Sequence, residues 1–400
     1  MAVRRIEVKN FKSFRDLKLD LKDFNVLIGA NASGKSNFVD IFKFLKDISV
    51  HGLDNAISMR GVEYVRNMKR GNDKELSVGI VLDTSEIMFL TDGSSIKMRD
   101  INYSFTLEFG AGKKGYRVAS ERVELKAEYY RGDKMEGEAE IKVIRDDGRV
   151  DVDMTKKGDM PFEEDDLKPP FPTISENTLI IRSPIFIAPI LLTEFQQIGI
   201  YDFDPKLPKS AIPITGMAEL EEDGENLPII LKKILEDPES KRKLYNLIRD
   251  VLPFVEDLDV ERFTDSSLLF KLKESYYPDQ YLPAPLISDG TVNVTALLTA
   301  LYFEGKRTVI IEEPERNIHP YLIEKVVNLM EEASEKKQVI ITTHNPEVVK
   351  YAGLEPLLLV SRNRDGFSTV RRAVEREEIG VFLRNNIGLE ELYVQNLLEG

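Results

Sequence analysis

The sequence predicts an α/β fold with an antiparallel β subdomain and a helical insertion, and three observations carry that reading. A short apolar run, Asn25–Ile28, feeds a glycine-bounded loop and then an amphipathic helix. Two later apolar runs, Thr308–Ile311 and Gln338–Thr342, have the length and composition of buried parallel strands. Between these ends, from about Leu76 to Met154, short alternating stretches punctuated by Gly and Asp read as antiparallel sheet.

Each element follows from its pattern. Ile6 and Val8 alternate with polar residues in Arg5–Phe11, and Leu17, Leu19 and Leu21 repeat at period two, giving two opening strands. Phe38, Ile41, Phe42 and Leu45 form one helix face. Leu76–Leu82, Tyr103–Phe109, Val118–Tyr130 and Ala139–Ile144 are the subdomain's strands, and the charged, proline-rich residues Lys156–Pro172 read as a linker or exposed loop. Met217–Glu256 reads as helical, with faces Leu227/Ile230/Leu231/Ile234 and Leu244/Leu247/Ile248/Val251, ended by Pro253. Val292–Tyr302 and Tyr321–Ala333 are further helices. No heptad pattern is sustained long enough for a coiled-coil arm. The resulting organisation is an N-terminal lobe over 1–155, a linker and helical insert over 156–285, and a C-terminal lobe over 286–400.

Composition narrows the function classes. Hydrophobic residues at 42% suffice for a sizeable core. With no cysteine, disulfides and thiolate metal sites are excluded. No apolar run is long enough to span a bilayer, and MAVRRIEVKNF lacks a signal-peptide core, so a cytoplasmic protein without membrane contact is expected. Plentiful Lys, Arg and Glu with no Trp fit a thermophile. The net charge of −14 opposes non-specific binding to polyanions.

The chemistry is carried by strand ends. Gly29-Ala30-Asn31-Ala32-Ser33-Gly34-Lys35-Ser36 fits the phosphate-loop spacing. Gly29 and Gly34 let the backbone curl so that N–H groups face phosphate oxygens, and the following helix adds its dipole. Lys35 reaches the β- and γ-phosphates of ATP and Ser36 offers a hydroxyl to Mg²⁺. A glycine turn with an exposed lysine is the competing reading, and the flanking strand and helix argue against it. RTVIIEEPE, Arg307–Glu315, is an apolar strand ending in two acids. Glu312 would hold Mg²⁺ through water and Glu313 would orient or deprotonate an attacking water; alone, the segment fits a strand entering a solvated acidic loop equally well. IITTHNP places His344 at a third strand end, where imidazole can sense a γ-phosphate. LISDGT, Leu286–Thr291, opens a helix with Ser288 and Gly290: alone it reads best as a cap by Ser288 or Asp289, and as a second anion site if it faces another subunit's nucleotide.

In this order the motifs resemble the ABC-type ATPase heads of the SMC, RecF and OLD (overcoming lysogenization defect) families. RRIEVKNFKSFRDLKLDL resembles their first hairpin, GANASGKSN their Walker A, LISDGT their signature, VIIEEPE their Walker B and TTHNP their switch histidine. GIYDFDP, DGENLPIILKKI, EPERNIHPYLI and FSTVRRAVEREEI resemble short OLD-related ATPases without a Toprim domain.

The resemblance implies ATP hydrolysis and an ATP-dependent head-to-head homodimer, with Mg²⁺ as cofactor. Ser288 and Gly290 would contact the partner's γ-phosphate, Glu313 would be the catalytic carboxylate and His344 the switch. Lys12 and Ser13 would approach the phosphates after the first strand, Asn37 follows the Walker A serine, and Arg316–His319 occupies the D-loop. DNA and a separate effector protein are the partners implied, in repair, chromosome maintenance or phage defence. Glu312 departs from the usual aspartate, which motivates an alternative: a nucleotide-gated binding module with little turnover. Gln196 and Gln197 are Q-loop candidates. The roughly 55 residues after His344 are too few for a Toprim nuclease domain.

Overall fold

The computed structural model of the chain describes residues 2–67, 69, 75–83, 87–110, 115–171, 173–214, 219–277, 279–376, 379 and 388–395. They divide into two compact units: Met1–Lys22, Ala32–Ile198 and Val360–Arg371 in the first, Asp23–Asn31, Gly199–Leu359 and Arg372–Gly400 in the second.

In the first unit, period-two sequence becomes a long antiparallel meander. Strand Ala2–Phe11 pairs with Phe14–Asp20 on one side and Glu75–Asp83 on the other. The meander continues through Ser95–Phe109, Tyr116–Arg131, Lys134–Asp146 and Arg149–Gly158, each antiparallel to the last. The alternating residues Tyr103, Phe105, Leu107 and Phe109 are buried. Helix Lys35–His51 covers part of this face with Phe38, Phe42, Phe44 and Leu45. The Phe44 ring lies 5.8 Å from Phe11 and 6.4 Å from Phe105. Helix Ala188–Gln196 brings Phe195 to 5.8 Å from Tyr103. Each such ring contributes about 1.5–3 kcal/mol by leaving water. The linker expected at Lys156–Pro172 begins as the end of strand Arg149–Gly158 and contains a short helix, Glu164–Leu167; Pro172 lies outside the described residues.

In the second unit the strands are central and parallel. Phe24–Ile28 lies between Gln338–Thr343 and the segment Leu357–Leu359, and Gln338–Thr343 also pairs with Thr308–Glu312. Every residue of Phe24–Ile28 and Gln338–Thr343 is buried, as expected of strands covered on both faces. Helices Asp289–Tyr302, Pro320–Ser334 and Pro346–Ala352 supply Leu297, Leu301, Ile323, Val327 and Val349 to the same core. Met217 lies outside the described residues. The helical reading of its segment holds for Leu227–Glu236 and Pro238–Val251 but not beyond, because Val255–Thr264 forms a hairpin with Ser267–Glu274. Register shifts at Val255/Asp257 and Arg262/Thr264 break the alternation that would have marked this hairpin in the sequence.

One buried polar cluster stands out in the first unit. The Glu121 carboxylate accepts the Ile180 N–H at 2.7 Å and the Tyr103 hydroxyl at 2.7 Å. Arg145 lies 3.8 Å away and donates to the Ser175 carbonyl at 2.9 Å. The cluster fastens the segment after the proline-rich stretch onto the sheet. Burial pushes the Glu121 carboxyl up to about 7 from 4.5, against the opposing pull of its hydrogen bonds and Arg145. The native state therefore holds this proton more tightly than the unfolded chain. The stabilisation is complete below about 4.5 and is lost as pH rises through about 7. Glu121→Gln should flatten that slope: the fall in Tm between about pH 5 and pH 8, read by scanning calorimetry, shrinks by a few °C relative to wild type.

Candidate functional site

Three of the sequence motifs leave one edge of the second unit's sheet at the same level. Glu312 is level with Thr342, Thr342 with Leu27, and Thr343 with Ile28. Gly29, Glu313 and His344 therefore emerge together from the carboxyl ends of adjacent parallel strands, where ligands of α/β sheets bind.

The phosphate loop leaves this edge at Gly29, whose carbonyl accepts from the Tyr393 hydroxyl at 3.3 Å. Ala32 at φ 62° and Gly34 at φ 121° make the curl. Helix Lys35–His51 then begins with no acidic residue in its first turn and no side-chain cap, leaving its N-terminus suited to an anion. Asn31, Ala32 and Ser36 are exposed and Lys35 is half-buried.

In the first unit the later half of the loop is held by residues distant in sequence. Ser368 donates to the Ser33 carbonyl at 2.6 Å, and its Oγ lies 2.8 Å from Ser13 Oγ, whose hydroxyl can donate to it. Asn37 donates to Ser13 Oγ at 2.7 Å, and Arg362 Nε donates to the Ala32 carbonyl at 2.6 Å. Ser13 is thus a buried strut of the loop. Lys12, at φ 45°, pairs with Asp40 at 2.6 Å. A cavity of about 340 Å³ is lined by Lys12, Asn37, Tyr64, Arg66, Lys69 and Arg362 among others, a strongly basic wall in an acidic chain. Ser368, Arg362 and Tyr393 were missed as loop contacts from sequence: they sit more than 300 residues from the loop, and although Ser368 lies in FSTVRRAVEREEI, nothing in that stretch signals the contact.

In the second unit, Glu313 adopts φ 47° and its N–H donates to the Thr342 carbonyl at 2.9 Å. A left-handed glutamate costs on the order of 1–3 kcal/mol and persists only where its surroundings hold it. Its half-buried carboxylate lies 2.9 Å from His344 Nδ1 and 3.2 Å from Arg316 Nη2, and Arg316 also reaches Asp202 at 2.9 Å. The anticipated catalytic acid and switch histidine are therefore in direct contact. Glu312 is half-buried at the strand's last position.

Ser288 caps helix Asp289–Tyr302 through the Thr291 N–H at 3.2 Å, and Asp289 pairs with Lys209. The start of this helix is keyed to the segment Arg316–Asn317, part of the stretch expected to be a D-loop. Asn293 donates to the Arg316 carbonyl at 2.6 Å, and a Cβ at Gly290 would stand 2.5 Å from the Asn317 carbonyl oxygen. Gln196 ends helix Ala188–Gln196 and Gln197 caps it, immediately before strand Ile198–Tyr201.

A parallel sheet that releases a phosphate loop, a two-acid strand end and a histidine from neighbouring strands defines an ABC-type ATPase head of the phosphate-loop class. Residues 24–350 match the family described as "AAA domain, putative AbiEii toxin, Type IV TA system", and the chain belongs to that family. The fold resembles a crystal structure of an SMC head bound to the C-winged helix domain of ScpA, with a TM-score of 0.53 and 16% identity over 93% of this chain and 97% of that one. A 46-residue stretch, 11% of the chain, is 50% identical to the chromosome partition protein Smc of Methanocaldococcus jannaschii. A stretch of the same length is 44% identical to the DNA replication and repair protein RecF of Lactococcus lactis subsp. cremoris. These matches span 4% and 13% of the two relatives' lengths. The fold is therefore that of an SMC-type head, and the short matched stretches are similar to SMC and RecF proteins. Among the described residues no helix is long and apolar enough to cross a membrane.

Gly34 provides a direct test of the loop. A Cβ there would stand 2.2 Å from Ser368 Oγ at a φ that L-residues rarely adopt. Gly34→Ala should weaken ATP binding by at least about tenfold, equivalent to about 1.4 kcal/mol. Titration with a fluorescent ATP analogue checks this, and unchanged affinity would remove the loop from the site.

Proposed function

We propose that the chain binds and hydrolyses ATP and that its nucleotide cycle closes a head-to-head homodimer. The observation that carries this reading is the 2.9 Å contact between Glu313 and His344, which follow two neighbouring strands, the second of them adjacent to the strand that feeds the phosphate loop. Gly29, Asn31, Ala32, Ser33 and Gly34 wrap the phosphates, with Lys35 neutralising charge on the β- and γ-phosphates. Lys12, Ser13 and Asn37 lie at the loop's flank, Ser13 acting as its strut. Glu313 orients the attacking water and accepts its proton, and His344 holds the Glu313 carboxylate and senses the γ-phosphate. The oxygen donors Ser36 and Glu312 fit Mg²⁺, a hard cation that would offset phosphate charge.

Dimerisation is supported by the surface beside the signature. Ser288 and Gly290 are flanked in sequence by Leu286, 69% exposed, and the D-loop runs into Tyr321, 66% exposed. Large apolar groups beside two family motifs suit a surface that a second copy covers. The output is coupled to chromosome maintenance, repair or phage defence through DNA or an effector protein; relatives named for chromosome partition and for DNA repair support this. A nucleotide-gated module with little turnover remains the second reading, favoured by Glu312 standing where an aspartate is usual.

Lys35→Ala should abolish ATP binding. Glu313→Gln should retain binding, lower phosphate release by about 10²–10⁴-fold and accumulate an ATP-bound dimer. Light scattering with and without Mg-ATP reads the last point, and a monomer under both conditions rules out the dimer. Wild-type turnover that persists in Glu313→Gln rules out the proposed role of Glu313.

A further inference from the structure

A third acid, two residues beyond Glu313, has no role in the reading above. Glu315 is 6% exposed and sits in the turn after Thr308–Glu312. Its Oε1 accepts the hydroxyl of Thr343, itself fully buried, at 2.5 Å. The same Thr343 oxygen accepts the Asn345 N–H at 2.9 Å, and Asn345 Oδ1 caps helix Pro346–Ala352 through the Glu347 N–H at 2.9 Å. His344 lies between the two residues so fixed. Glu315 Oε2 makes no hydrogen bond among the described residues.

A buried carboxyl is costly unless its bonds repay the loss of water. Apolar side chains would fill a turn beside a buried parallel sheet at lower cost. Among the described residues, the hydrogen bond that the Glu315 carboxylate accepts comes from the residue preceding the histidine. On that geometry we propose that Glu315 is a positioning residue: acting through Thr343, it sets the switch turn so that His344 Nδ1 meets Glu313. Two ties then join the loops after these strands. One is the backbone bond from Glu313 N–H to the Thr342 carbonyl, and the other is the Glu315–Thr343 side-chain bond beneath it. The backbone tie fixes the position of Glu313, and the side-chain tie fixes the orientation of the turn that bears His344.

The inference rests on the proposed pairing of Glu313 with His344, and its test reads that pairing apart from turnover. The chain has three histidines, His51, His319 and His344, so the His344 ring signals can be assigned by substitution. In wild type, long-range ¹H–¹⁵N spectra at pH 8 should show His344 mainly as the Nδ1–H tautomer, donating to Glu313. Glu315→Leu and Thr343→Val should each shift it towards the Nε2–H form favoured by free imidazole, with ATP affinity within about twofold of wild type. Glu315→Gln, which keeps an acceptor oxygen for Thr343, and Thr343→Ser, which keeps the hydroxyl, should retain the wild-type tautomer. In hydrolysis, Glu315→Leu should lower kcat by about tenfold or more at unchanged KM, and adding Thr343→Val should lower it no further. A wild-type tautomer in Glu315→Leu overturns the proposal, as does a Glu315→Gln variant as impaired as Glu315→Leu. Absence of turnover in wild type would count against the hydrolytic reading and leave the tautomer result to decide this one.

Discussion

The second unit depends on register. Because Thr308–Glu312, Gln338–Thr343 and Phe24–Ile28 run parallel and end within one residue of the same level, three chemically distinct strand ends arrive together. A slip of one residue in any strand would turn its buried side chains to the other face, and in a sheet covered on both sides that loses packing everywhere. Core packing therefore enforces the geometry at the edge. The contacts of Glu313 with Thr342 and His344 follow from this alignment.

The first unit meets a different constraint. Its meander is built from alternating strands, and the proline-rich stretch that follows must be returned to the sheet. The Tyr103–Glu121–Arg145 cluster does this with directional bonds to backbone at Ile180 and Ser175, which an apolar contact could not supply with the same specificity. The same unit stabilises the phosphate loop from a distance. Ser368 and Arg362 come from the far end of the chain and satisfy carbonyls at Ser33 and Ala32 that the curl leaves without secondary-structure partners. The loop's shape is thus set by residues that only the folded chain brings to it.

How much of this could be read in the sequence follows from what each feature depends on. The buried parallel strands, the meander and the phosphate loop were legible because their signals are local: an apolar run, a period of two, a fixed glycine spacing. The hairpin after Val255 was not, since its register shifts erase the period that would announce it. At the site, Glu313 and His344 were legible as strand-end residues, and Ser288 as a helix cap. Ser13 was legible as a position, but its function as a buried strut depends on Ser368, and no local pattern couples residues 355 apart. Gly290 looked like a general anion-binding glycine; the carbonyl of Asn317 gives it a steric reason.

That last contact bears on how the parts of the second unit are joined. The stretch Glu313–Asn317 touches the turn that bears His344 at one end, through Glu313 and Glu315, and the start of helix Asp289–Tyr302 at the other, through Arg316 and Asn317. It also contains two left-handed residues, Glu313 and Asn317, each held in a sparsely populated conformation by those neighbours. The segment is bonded at both ends, so Glu313 and His344 on one side and the start of helix Asp289–Tyr302 on the other are joined through five residues.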